Sequence, residues 1–513
     1  MLLADLAATS QRVAATSRRL EKIGALASCL QRLPPEEIEI GVQYLSGELR
    51  QGKIGVSYSL LRNAWPEASA TTPALRLIDV DQEFASIAQM VGPGSMATRT
   101  QALSRLLARA THEEQDFLVH LIGGELRQGA LEGLMVEAVA RAGHFPAADV
   151  RRAAMFSGRL APVARAALVE GAPGLGHFFM TLFQPVQPML AQPAEDIDDA
   201  LSQFGMAALE WKLDGARVQV HKEGSEVRVF TRNLNEVTAA VPEIVQAVAN
   251  LSAPRLVLDG EAIALRSDGT PLPFQETMRR FGRKLNVEAT RATLPLSVYF
   301  FDCLYVNGQG LIDQPTQERV DALVEAVPAH LLVPRLITDD PEEGEAFFRG
   351  ALQRGHEGIM IKSLASPYEA GSRGSTWLKL KQAQTLDLVV LAAEWGNGRR
   401  SGWLSNLHLG ARDPGSGTYV MLGKTFKGMT DEMLTWQTRA LLDLEISRDR
   451  YTVHVRPELV VEIAFNEVQS SAQYPGGLAL RFARVKRYRP DKKAAQADTI
   501  DTVRAIFAKQ AGR

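Results

Sequence analysis

The sequence predicts a multidomain protein in which an all-α region is followed by a mixed α and β region and then by a small β-barrel. Three observations predict this order. A chain of 513 residues corresponds to about three domains at roughly 150 residues each. Apolar residues recur at helical spacing in the first third, and strand-like alternation is found only later. A proline-rich segment, residues 184–193, separates the two patterns.

The first region, placed at residues 1–178, is predicted to be helical. Its apolar residues recur three and four positions apart, as at Leu20 and Ile23. It contains a diverged duplication, in which Leu-Ser-Gly-Glu-Leu-Arg-Gln-Gly at 45–52 returns as Ile-Gly-Gly-Glu-Leu-Arg-Gln-Gly at 122–129. The repeat predicts two similar helical units.

The duplicated segments can be interpreted in two ways. In each copy a glycine ends one helix and the next helix begins nearby, which would leave free backbone amides beside Arg50 or Arg127. The glycines could simply close a tight helical hairpin. Alternatively, the two turns could form a pair of phosphate-binding sites that grip a duplex backbone without reading its sequence.

The second region, placed at residues 179–383, is predicted to mix strands and helices. The proline-rich segment near its start should disrupt both helix and β-ladder. The predicted strands are residues 216–221, 227–231, 256–265 and 296–305, and the predicted helices lie near residues 240–250 and 316–326.

The third region, placed at residues 384–513, is predicted to be a small barrel with a polar helical tail from about residue 493. Several short strands separated by glycine-rich turns are typical of such barrels. The predicted strands are residues 386–391, 404–411, 418–424 and 460–465.

The composition is that of a soluble globular protein, with 46% hydrophobic and 23% charged residues. The formal net charge is −2, so a nucleic-acid site would have to come from local basic patches. Two cysteines are too few for a four-cysteine zinc site or a disulfide framework. The N-terminus has no basic n-region, and no apolar run reaches the roughly 18 residues of a membrane span. We therefore expect a cytoplasmic protein with no membrane attachment.

Lys212 is the first candidate catalytic residue. It lies in the run Glu-Trp-Lys-Leu-Asp-Gly at residues 210–215, between an apolar stretch and a predicted strand. By itself, Lys-x-Asp-Gly is a short match that favours a turn with a surface lysine over a catalytic residue. The same domain contains Glu261 on a predicted strand and Glu357 directly before another. A lysine and two separated carboxylates therefore share one domain.

Cationic residues accompany this set. Lys379 and Lys381 alternate with apolar residues, so a strand would present both on one face. Such lysines could also mark a solvated strand edge that discourages aggregation. Further cations are Arg217, Arg232 and the basic run at 481–492, which is interleaved with aromatic residues.

Together these residue types favour attack by a lysine on a phosphorus atom. A desolvated lysine surrounded by cations loses its proton more easily and becomes a nucleophile, for which a phosphorus atom is the natural target. Lysine, arginine and divalent metal stabilise charge that develops on a triphosphate, and carboxylates such as Glu261 and Glu357 can hold hydrated Mg²⁺.

In this order the segments resemble the nucleotidyltransferase motifs shared by DNA ligases, RNA ligases and mRNA capping enzymes, over the last two-thirds of the chain. Residues 1–175 resemble the helical DNA-binding domain of cellular ATP-dependent DNA ligases of bacteria or archaea, which RNA ligases and capping enzymes lack. The resemblance implies an all-α DNA-binding domain at 1–178, an α+β nucleotidyltransferase (adenylation) domain at 179–383 and a C-terminal OB-fold β-barrel at 384–513. NAD⁺-dependent ligases match poorly because they carry a four-cysteine zinc site.

The resemblance implies an ATP-dependent DNA ligase that seals nicks in duplex DNA. Lys212 would attack the α-phosphate of ATP and hold AMP, which would pass to the 5′-phosphate. The 3′-hydroxyl would then form the phosphodiester bond and release AMP. The implied ATP-binding residues are Glu210, Arg217, Arg232, Glu261, Phe301, Lys362, Lys379, Lys381 and Arg481.

The resemblance also implies which part of ATP each of these residues contacts. Glu210 would hydrogen-bond adenine through its backbone or side chain, and Phe301 would stack on the ring. Arg217 and Glu261 would meet the ribose and phosphate region. The α-phosphate would be neutralised by Lys362, Lys379 and Lys381.

The implied metal ligands are Glu261 and Glu357, which would hold Mg²⁺ or alternatively Mn²⁺. The chain departs from many relatives at Ala483, which they replace by proline between the Phe and Arg of Arg-Phe-Pro-Arg, so the local backbone should differ. The implied pyrophosphate contacts are Arg481, Arg484 and Lys486. The implied DNA contacts are Arg50, Arg127 and Arg232, the last at the nick 5′-phosphate.

The implied partner is nicked double-stranded DNA, bound by a monomer, in the cytoplasm and at the nucleoid when engaged. In the family the barrel closes for self-adenylation and then swings to clamp DNA, which implies a mobile junction near residues 381–385. Two alternatives are an RNA ligase or capping enzyme, disfavoured by the helical first third, and a non-catalytic DNA clamp. The intact Lys212 and its carboxylates argue against the clamp.

Overall fold

The computed structural model describes residues 1–66, 68–126, 128–129, 132–194, 196–281, 287–370, 373–381 and 384–511. Arg127 lies outside these residues, and so do residues 382 and 383 of the predicted junction.

Helices fill the first region, as predicted. α7 begins with a capping box, in which Thr111 Oγ1 accepts the Glu114 N–H at 3.3 Å and the Glu114 carboxylate accepts the Thr111 N–H at 2.8 Å. These bonds satisfy amides that a helix start leaves unpaired. The helices share one apolar core, which includes Leu6, Leu26 and Leu103. The elements are α1 (Leu3–Ala15), α2 (Arg19–Leu30), α3 (Ile38–Leu45), α4 (Tyr58–Asn63), α5 (Leu77–Gln89), α6 (Ser95–Ala108), α7 (His112–Ile122), α8 (Glu132–Gly143), α9 (Ala147–Ser157), α10 (Leu160–Glu170) and α11 (Ala172–Leu175).

The duplicated turns close α3 and α7 in the same way. Gly47 and Gly124 adopt left-handed φ values of 80° and 71°. The N–H groups of Gly47, Glu48, Gly124 and Glu125 donate to carbonyls in the last turn of the preceding helix at 2.9 to 3.0 Å. This pattern is typical of a glycine helix end. The expectation of free amides is therefore wrong for these four groups, because the helix ends use them.

Two five-stranded sheets form the second region, with orders β1-β10-β9-β2-β8 and β4-β3-β5-β6-β7. The strands are β1 (Leu190–Pro193), β2 (Ala207–Lys212), β3 (Ala216–Glu223), β4 (Glu226–Thr231), β5 (Arg255–Ala264), β6 (Leu296–Val306), β7 (Gln309–Gly310), β8 (Arg335–Thr338), β9 (Gly358–Ser363) and β10 (Arg373–Lys381). The helices are α12 (Ile197–Phe204), α13 (Pro242–Ala249), α14 (Phe274–Phe281), α15 (Val287–Thr293), α16 (Thr316–Ala326) and α17 (Pro341–Gln353). The four predicted strands correspond to β3, β4, β5 and β6 and the two predicted helices to α13 and α16, so these predictions are confirmed.

The end of the proline-rich segment forms β1, although the sequence predicted no ladder there. β1 pairs in parallel with β10 at the edge of its sheet, with Pro193 opposite Lys379. An edge strand tolerates proline because one of its sides makes no ladder bonds. The edge position therefore explains the missed strand.

The third region is built around the 12-residue strand β11. Its elements are β11 (Gln384–Trp395), β12 (Leu404–Arg412), β13 (Tyr419–Thr425), α18 (Asp431–Asp443), β14 (Glu445–Arg448), β15 (Thr452–Val455), β16 (Val460–Phe465), β17 (Glu467–Ser470), β18 (Leu478–Arg481), β19 (Arg484–Tyr488) and α19 (Ile500–Ala511). The first half of β11 pairs with β16, and its second half pairs with β12 and β15. The predicted strands correspond to β11, β12, β13 and β16, and the predicted tail contains α19.

A buried apolar cluster joins the helical region to the second region. Met155 and Phe156 of α9 pack with Met189, Val257 and Trp377. This cluster lies behind the site described below, so the end of the helical region and the second region share part of their core. Among the helices of the described residues, none has the length and apolar character needed to cross a membrane.

Candidate active site

Two glycines allow the backbone around Lys212 to pack closely. Lys212 is the last residue of β2 and lies opposite Gly358 of β9. A Cβ on Gly358, whose φ is +146°, would lie 2.1 Å from the Leu380 carbonyl oxygen of β10. A Cβ on Gly215 would lie 2.2 Å from the Ala262 carbonyl oxygen of β5. Because neither position has a Cβ, the ends of β2, β5, β9 and β10 meet around Lys212.

Glu357 bridges two lysines at this point. Its Oε2 accepts a hydrogen bond from Lys212 Nζ, and its Oε1 accepts one from Lys381 Nζ at 2.7 Å. The side chains of Lys212 and Glu357 are 21% and 18% exposed, so the pair is largely withdrawn from water. The structure therefore brings together Lys212, Glu357 and Lys381, which are far apart in sequence.

The environment raises the pKa of Lys212. Burial lowers this pKa, but the Glu357 carboxylate in contact with the ammonium, helped by Glu261 and Asp214, more than offsets burial. The sequence-based expectation that surrounding cations lower the pKa is therefore wrong for this arrangement. The charged group in contact with Lys212 is the Glu357 carboxylate, and Lys381 binds the other oxygen of the same carboxylate.

The other carboxylates of the site have raised pKa values. Burial raises the pKa of Glu261 to about 7, against the opposing effect of Lys212 and Arg217. Burial, together with Glu357 and Glu467, raises the pKa of Asp214 to about 6. Such values keep both groups near the point of ionisation at neutral pH.

Carboxylate oxygens around Lys212 suit Mg²⁺, which prefers hard oxygen ligands. Within the part of the chain that the structure describes, no group of three or more His, Cys, Asp or Glu side chains forms a ready metal cage. Mg²⁺ is usually held by only one or two carboxylates together with substrate phosphates. Glu261 and Glu357 fit that mode of binding.

Glu210 lies two residues before Lys212 on β2, so the two side chains share one face of the strand. The Glu210 carboxylate is 1% exposed and pairs with Lys362 Nζ at 2.7 Å and with Arg335 Nε at 2.8 Å. Lys362 Nζ lies 4.6 Å from the Phe301 ring centroid and 4.1 Å from that of Trp377. Lys362 is thus at the Glu210 end of the site, whereas Lys381 is at the Lys212 end.

Arg217 lies beneath the Phe301 ring, with its guanidinium carbon 5.3 Å from the centroid. It donates to Asp259 Oδ2 at 2.6 Å, the Met189 carbonyl at 2.6 Å and the Tyr368 hydroxyl at 3.1 Å. Its pKa is raised, because Asp259 and Tyr368 more than offset burial. Across the ladder it is opposite Glu261. In this structure the Arg217 guanidinium therefore packs against the rings of Phe301 and Trp377.

The remaining candidates occupy several surfaces. Arg232 is exposed in the turn after β4, and Lys379 is half-buried on β10, on the same face as Lys381. Arg50 is half-exposed and pairs with the buried Asp81. Arg484 and Lys486 are exposed on one face of β19.

Arg481 connects the third region to the second. It pairs with Glu467 at 2.6 Å, and its guanidinium carbon lies 4.7 Å from the ring centroid of Phe274 in α14. Gln275 of α14 also donates to Gln469 of β17 at 3.4 Å. Arg481 is close enough to Asp214 to lower the pKa of that carboxyl. The third region therefore covers the Lys212 end of the site.

The sequence-based prediction missed Arg335, Asp259, Tyr368 and Trp377, which surround Glu210, Phe301 and Arg217. Asp259 had a usable signal, because it lies two residues before Glu261 on a predicted strand and so shares its face. Arg335 had none, because it reaches Glu210 only through the pairing of β2 with β8.

Three family models match the chain. The model for the DNA ligase N terminus matches residues 66–140, that for the ATP dependent DNA ligase domain matches 188–381, and that for the ATP dependent DNA ligase C terminal region matches 400–492. The alternative of an RNA ligase or a capping enzyme is thereby disfavoured.

Curated relatives match over the whole length. A probable DNA ligase of Anaeromyxobacter sp. strain Fw109-5 is 61% identical over 512 residues, which is 99% of each chain. A probable DNA ligase of Mycolicibacterium gilvum strain PYR-GCK is 55% identical over 510 residues, again 99% of each chain. The solved structure named Pmar-Lig_Pre has the same fold, with a TM-score of 0.64 at 19% identity over 94% of this chain and 99% of that chain. This chain therefore belongs to the ATP-dependent DNA ligase family.

Proposed function

We propose that Lys212 is the residue through which this ligase takes AMP from ATP. One observation carries the proposal: Glu210 and Lys212 lie on one face of β2, and Lys212 contacts a carboxylate that also binds Lys381. A nucleotide with its base toward Glu210 would place its α-phosphate at Lys212. The phosphate would then meet two lysine side chains from different strands.

In the first step Lys212 Nζ forms a bond to the α-phosphorus, and the bond from that phosphorus to the pyrophosphate oxygen breaks. The ammonium of Lys212 must first lose a proton to solvent, which also breaks its ion pair with Glu357. Lys381, on the other oxygen of Glu357, supplies positive charge for the phosphoryl oxygens. The product is AMP joined to Lys212 through a phosphoramidate bond.

Glu261 and Glu357 are the proposed ligands for Mg²⁺, with Mn²⁺ as an alternative. A divalent cation there would neutralise charge on the triphosphate. Lys379, on the same face of β10 as Lys381, is proposed to contact the α-phosphate as well.

At the base end, Phe301 is proposed to stack on adenine and Glu210 to hydrogen-bond it. Arg217 and Glu261, which are opposite each other across the ladder between β3 and β5, are proposed to lie near the ribose. Lys362 pairs with Glu210 here, so a contact with the α-phosphate would require it to leave that carboxylate.

Arg481 is proposed to bind pyrophosphate, since it lies over the Lys212 end, with Arg484 and Lys486 as further contacts. In the later steps AMP passes to the 5′-phosphate of the nick and the 3′-hydroxyl displaces it. Arg232 is proposed to contact that 5′-phosphate, and Arg50 and Arg127 the duplex backbone. The proposed substrate is nicked double-stranded DNA, bound by a monomer in the cytoplasm.

We also propose the domain boundaries given above and an OB-fold for the third region. The pairing of β11 with β12, β15 and β16 supports this, because one long strand shared between partners is suited to a small barrel.

Incubation with α-labelled ATP and Mg²⁺ followed by denaturing electrophoresis tests the role of Lys212. The variant Lys212→Arg keeps the charge next to Glu357 but has no nucleophilic amine, so it should take up no label. The matched control Lys53→Arg changes an exposed lysine of the helical region and should label like wild type. Equal labelling of all three proteins would show that another residue carries AMP.

A further inference from the structure

A buried set of polar contacts surrounds the Glu210 carboxylate. Arg335 Nε donates to Glu210 Oε1 at 2.8 Å and Lys362 Nζ binds Oε2 at 2.7 Å. Both cations also donate to the main-chain carbonyl of Phe301, Arg335 Nη2 at 3.0 Å and Lys362 Nζ at 3.4 Å. The Glu210 and Lys362 side chains are 1% exposed and that of Arg335 is 10% exposed.

Arg335 links two sheets at this point. Glu210 belongs to β2 of one sheet and Phe301 to β6 of the other, while Arg335 begins β8 directly opposite Glu210. A backbone hydrogen bond also joins the segment before β8 to β6, because the Val333 N–H donates to the Phe300 carbonyl at 3.0 Å. A planar guanidinium can hold a carboxylate and a carbonyl in a fixed relative position, which a lysine ammonium does less well. Arg335 and Lys362 both join Glu210 to the Phe301 carbonyl, and Arg335 is the one whose planar group fixes their relative position.

The carboxylate held in this way can only accept hydrogen bonds. An ionised carboxylate has about four acceptor positions, and Arg335 and Lys362 leave part of this capacity unused. Adenine presents a donor, its 6-amino group, whereas guanine presents an acceptor oxygen at the same position. A fixed acceptor beside a stacking ring would favour the first base and repel the second, because a buried mismatch of polar groups is costly.

We propose that Arg335 is a positioning residue that fixes Glu210 and Phe301 for a 6-aminopurine and thereby sets the selectivity of self-adenylation for adenine nucleotides. This inference rests on the roles proposed above for Glu210 and Phe301. Arg335 acts through these two residues and does not itself touch the reacting atoms.

The test compares ATP with purine riboside triphosphate, which lacks the 6-amino group, as substrates for enzyme–AMP formation by the full-length protein. The measured quantity is the ratio of kcat/KM for the two nucleotides. Arg335→Lys keeps the charge but loses the planar bridge, so the ratio should fall about tenfold or more, mainly through a higher KM for ATP. Arg335→Gln, which keeps one donor and removes the charge, should also lower the ratio and serves as the second variant if Arg335→Lys does not fold.

Arg319→Lys is the matched control. Arg319 is also buried in the second region and donates to a carboxylate, that of Asp302, at 2.8 Å and to the Gln314 carbonyl at 2.7 Å. In the described structure it makes no hydrogen bond to Glu210 or to the Phe301 carbonyl, and lysine keeps the charge through which it interacts with Glu210 at longer range. Its substitution should therefore leave the ratio at the wild-type value. A purely structural role for Arg335 would make the two lysine variants behave alike.

Glu210→Met, which has a similar length but no acceptor oxygen, tests the role of Glu210 separately from that of Arg335. If this variant keeps the wild-type ratio, Glu210 does not read the base, and both its proposed role and the inference about Arg335 are wrong. If Glu210→Met lowers the ratio but neither Arg335 variant does, only the inference about Arg335 is overturned. Equal losses in the Arg335 and Arg319 variants would overturn it as well.

Discussion

Gly358 sets the distance between Glu357 and Lys381. It has a φ of +146°, and the Leu380 carbonyl oxygen lies where its Cβ would be, at 2.1 Å. Any side chain here must push β10 away from β9 or change the backbone of β9. Either change would separate Lys381 from the carboxylate that it shares with Lys212.

The substitution Gly358→Ala should therefore abolish most self-adenylation and reduce stability by about 2 to 4 kcal/mol, because it adds backbone strain and a steric clash. Gly350→Ala is the matched control, since its Cβ would meet nothing within 4 Å in α17. Alanine should be neutral or stabilising there by up to about 1 kcal/mol. Label transfer from α-labelled ATP and chemical denaturation measure both effects. Wild-type labelling by Gly358→Ala would contradict the argument.

Residue types and spacing were sufficient to predict Lys212, Glu357 and Lys381 as one group, and the structure places them in contact. The direction of the Lys212 pKa shift was predicted wrongly, because a sequence does not show which charge lies nearest. Arg335 could not be predicted, since only the pairing of β2 with β8 brings it to Glu210. Sequence motifs thus identify the groups but not the partners that orient them.

The strands β5 and β6 were predictable because both are rich in apolar residues. β5 is buried at all but Arg255 and Glu261, and in the first half of β6 buried residues alternate with partly exposed ones. The helix α18 was missed within a region predicted to consist of strands. Its start had a sequence signal, since Thr430 caps the helix by accepting the Met433 N–H at 3.2 Å. Leu434 and Leu441 are buried at helical spacing, which was a second signal. The strand β1 had no such signal, because its proline excluded it.

The segment between α11 and β1 is bound to β3 by side chains of that strand. The Phe183 N–H donates to Nδ1 of the buried His221 at 2.9 Å, and His221 Nε2 lies 3.0 Å from Gln219 Oε1. Gln219 Oε1 also accepts the Val186 N–H at 2.8 Å. Because Nδ1 accepts, the ring is neutral and carries its proton on Nε2. Burial lowers the pKa of His221 to about 3.

The buried, neutral His221 should make the free energy of unfolding depend on pH. The unfolded chain takes up a proton at His221 below about pH 6.5, whereas the folded protein does not until about pH 3, so stability falls as the pH falls through this window. One such group should lower the free energy of unfolding by about 2 kcal/mol between pH 7 and pH 5. The asparagine of His221→Asn can still accept from Phe183 but does not titrate. The difference in melting temperature between wild type and this variant should therefore shrink as the pH is lowered.

The matched control is His330→Asn, which changes an exposed histidine of the same region. Its melting temperature should follow that of wild type over the same pH range, since the carboxylates that titrate there are common to both proteins. A constant difference between His221→Asn and wild type from pH 7 to pH 5 would show that His221 does not contribute a proton linkage.

All three regions of the chain contribute to the surroundings of Lys212. The helical region shares the apolar cluster behind the site, and the second region supplies Lys212 and its carboxylates. The third region reaches the site through β17 and β18, where Arg481 and Glu467 face Asp214 closely enough to affect its pKa. The order of the regions was predictable from the sequence, but this arrangement was not, because it depends on a few contacts between distant segments.

Arg481 is the residue on which this arrangement depends most directly. Its ion pair with Glu467 orients it toward the Phe274 ring of α14. We proposed above that it binds pyrophosphate there. Arg481→Ala should lower self-adenylation about 10- to 100-fold, as loss of a charge-stabilising group does. Sealing of a nick that already carries the 5′-adenylate should stay near the wild-type rate, because no pyrophosphate leaves in that step. Arg487→Ala, which removes an exposed arginine paired with Glu462 at 2.7 Å in the same region, should change neither rate. Equal loss of both activities in Arg481→Ala would mean that this arginine supports the fold of the third region and not the first chemical step.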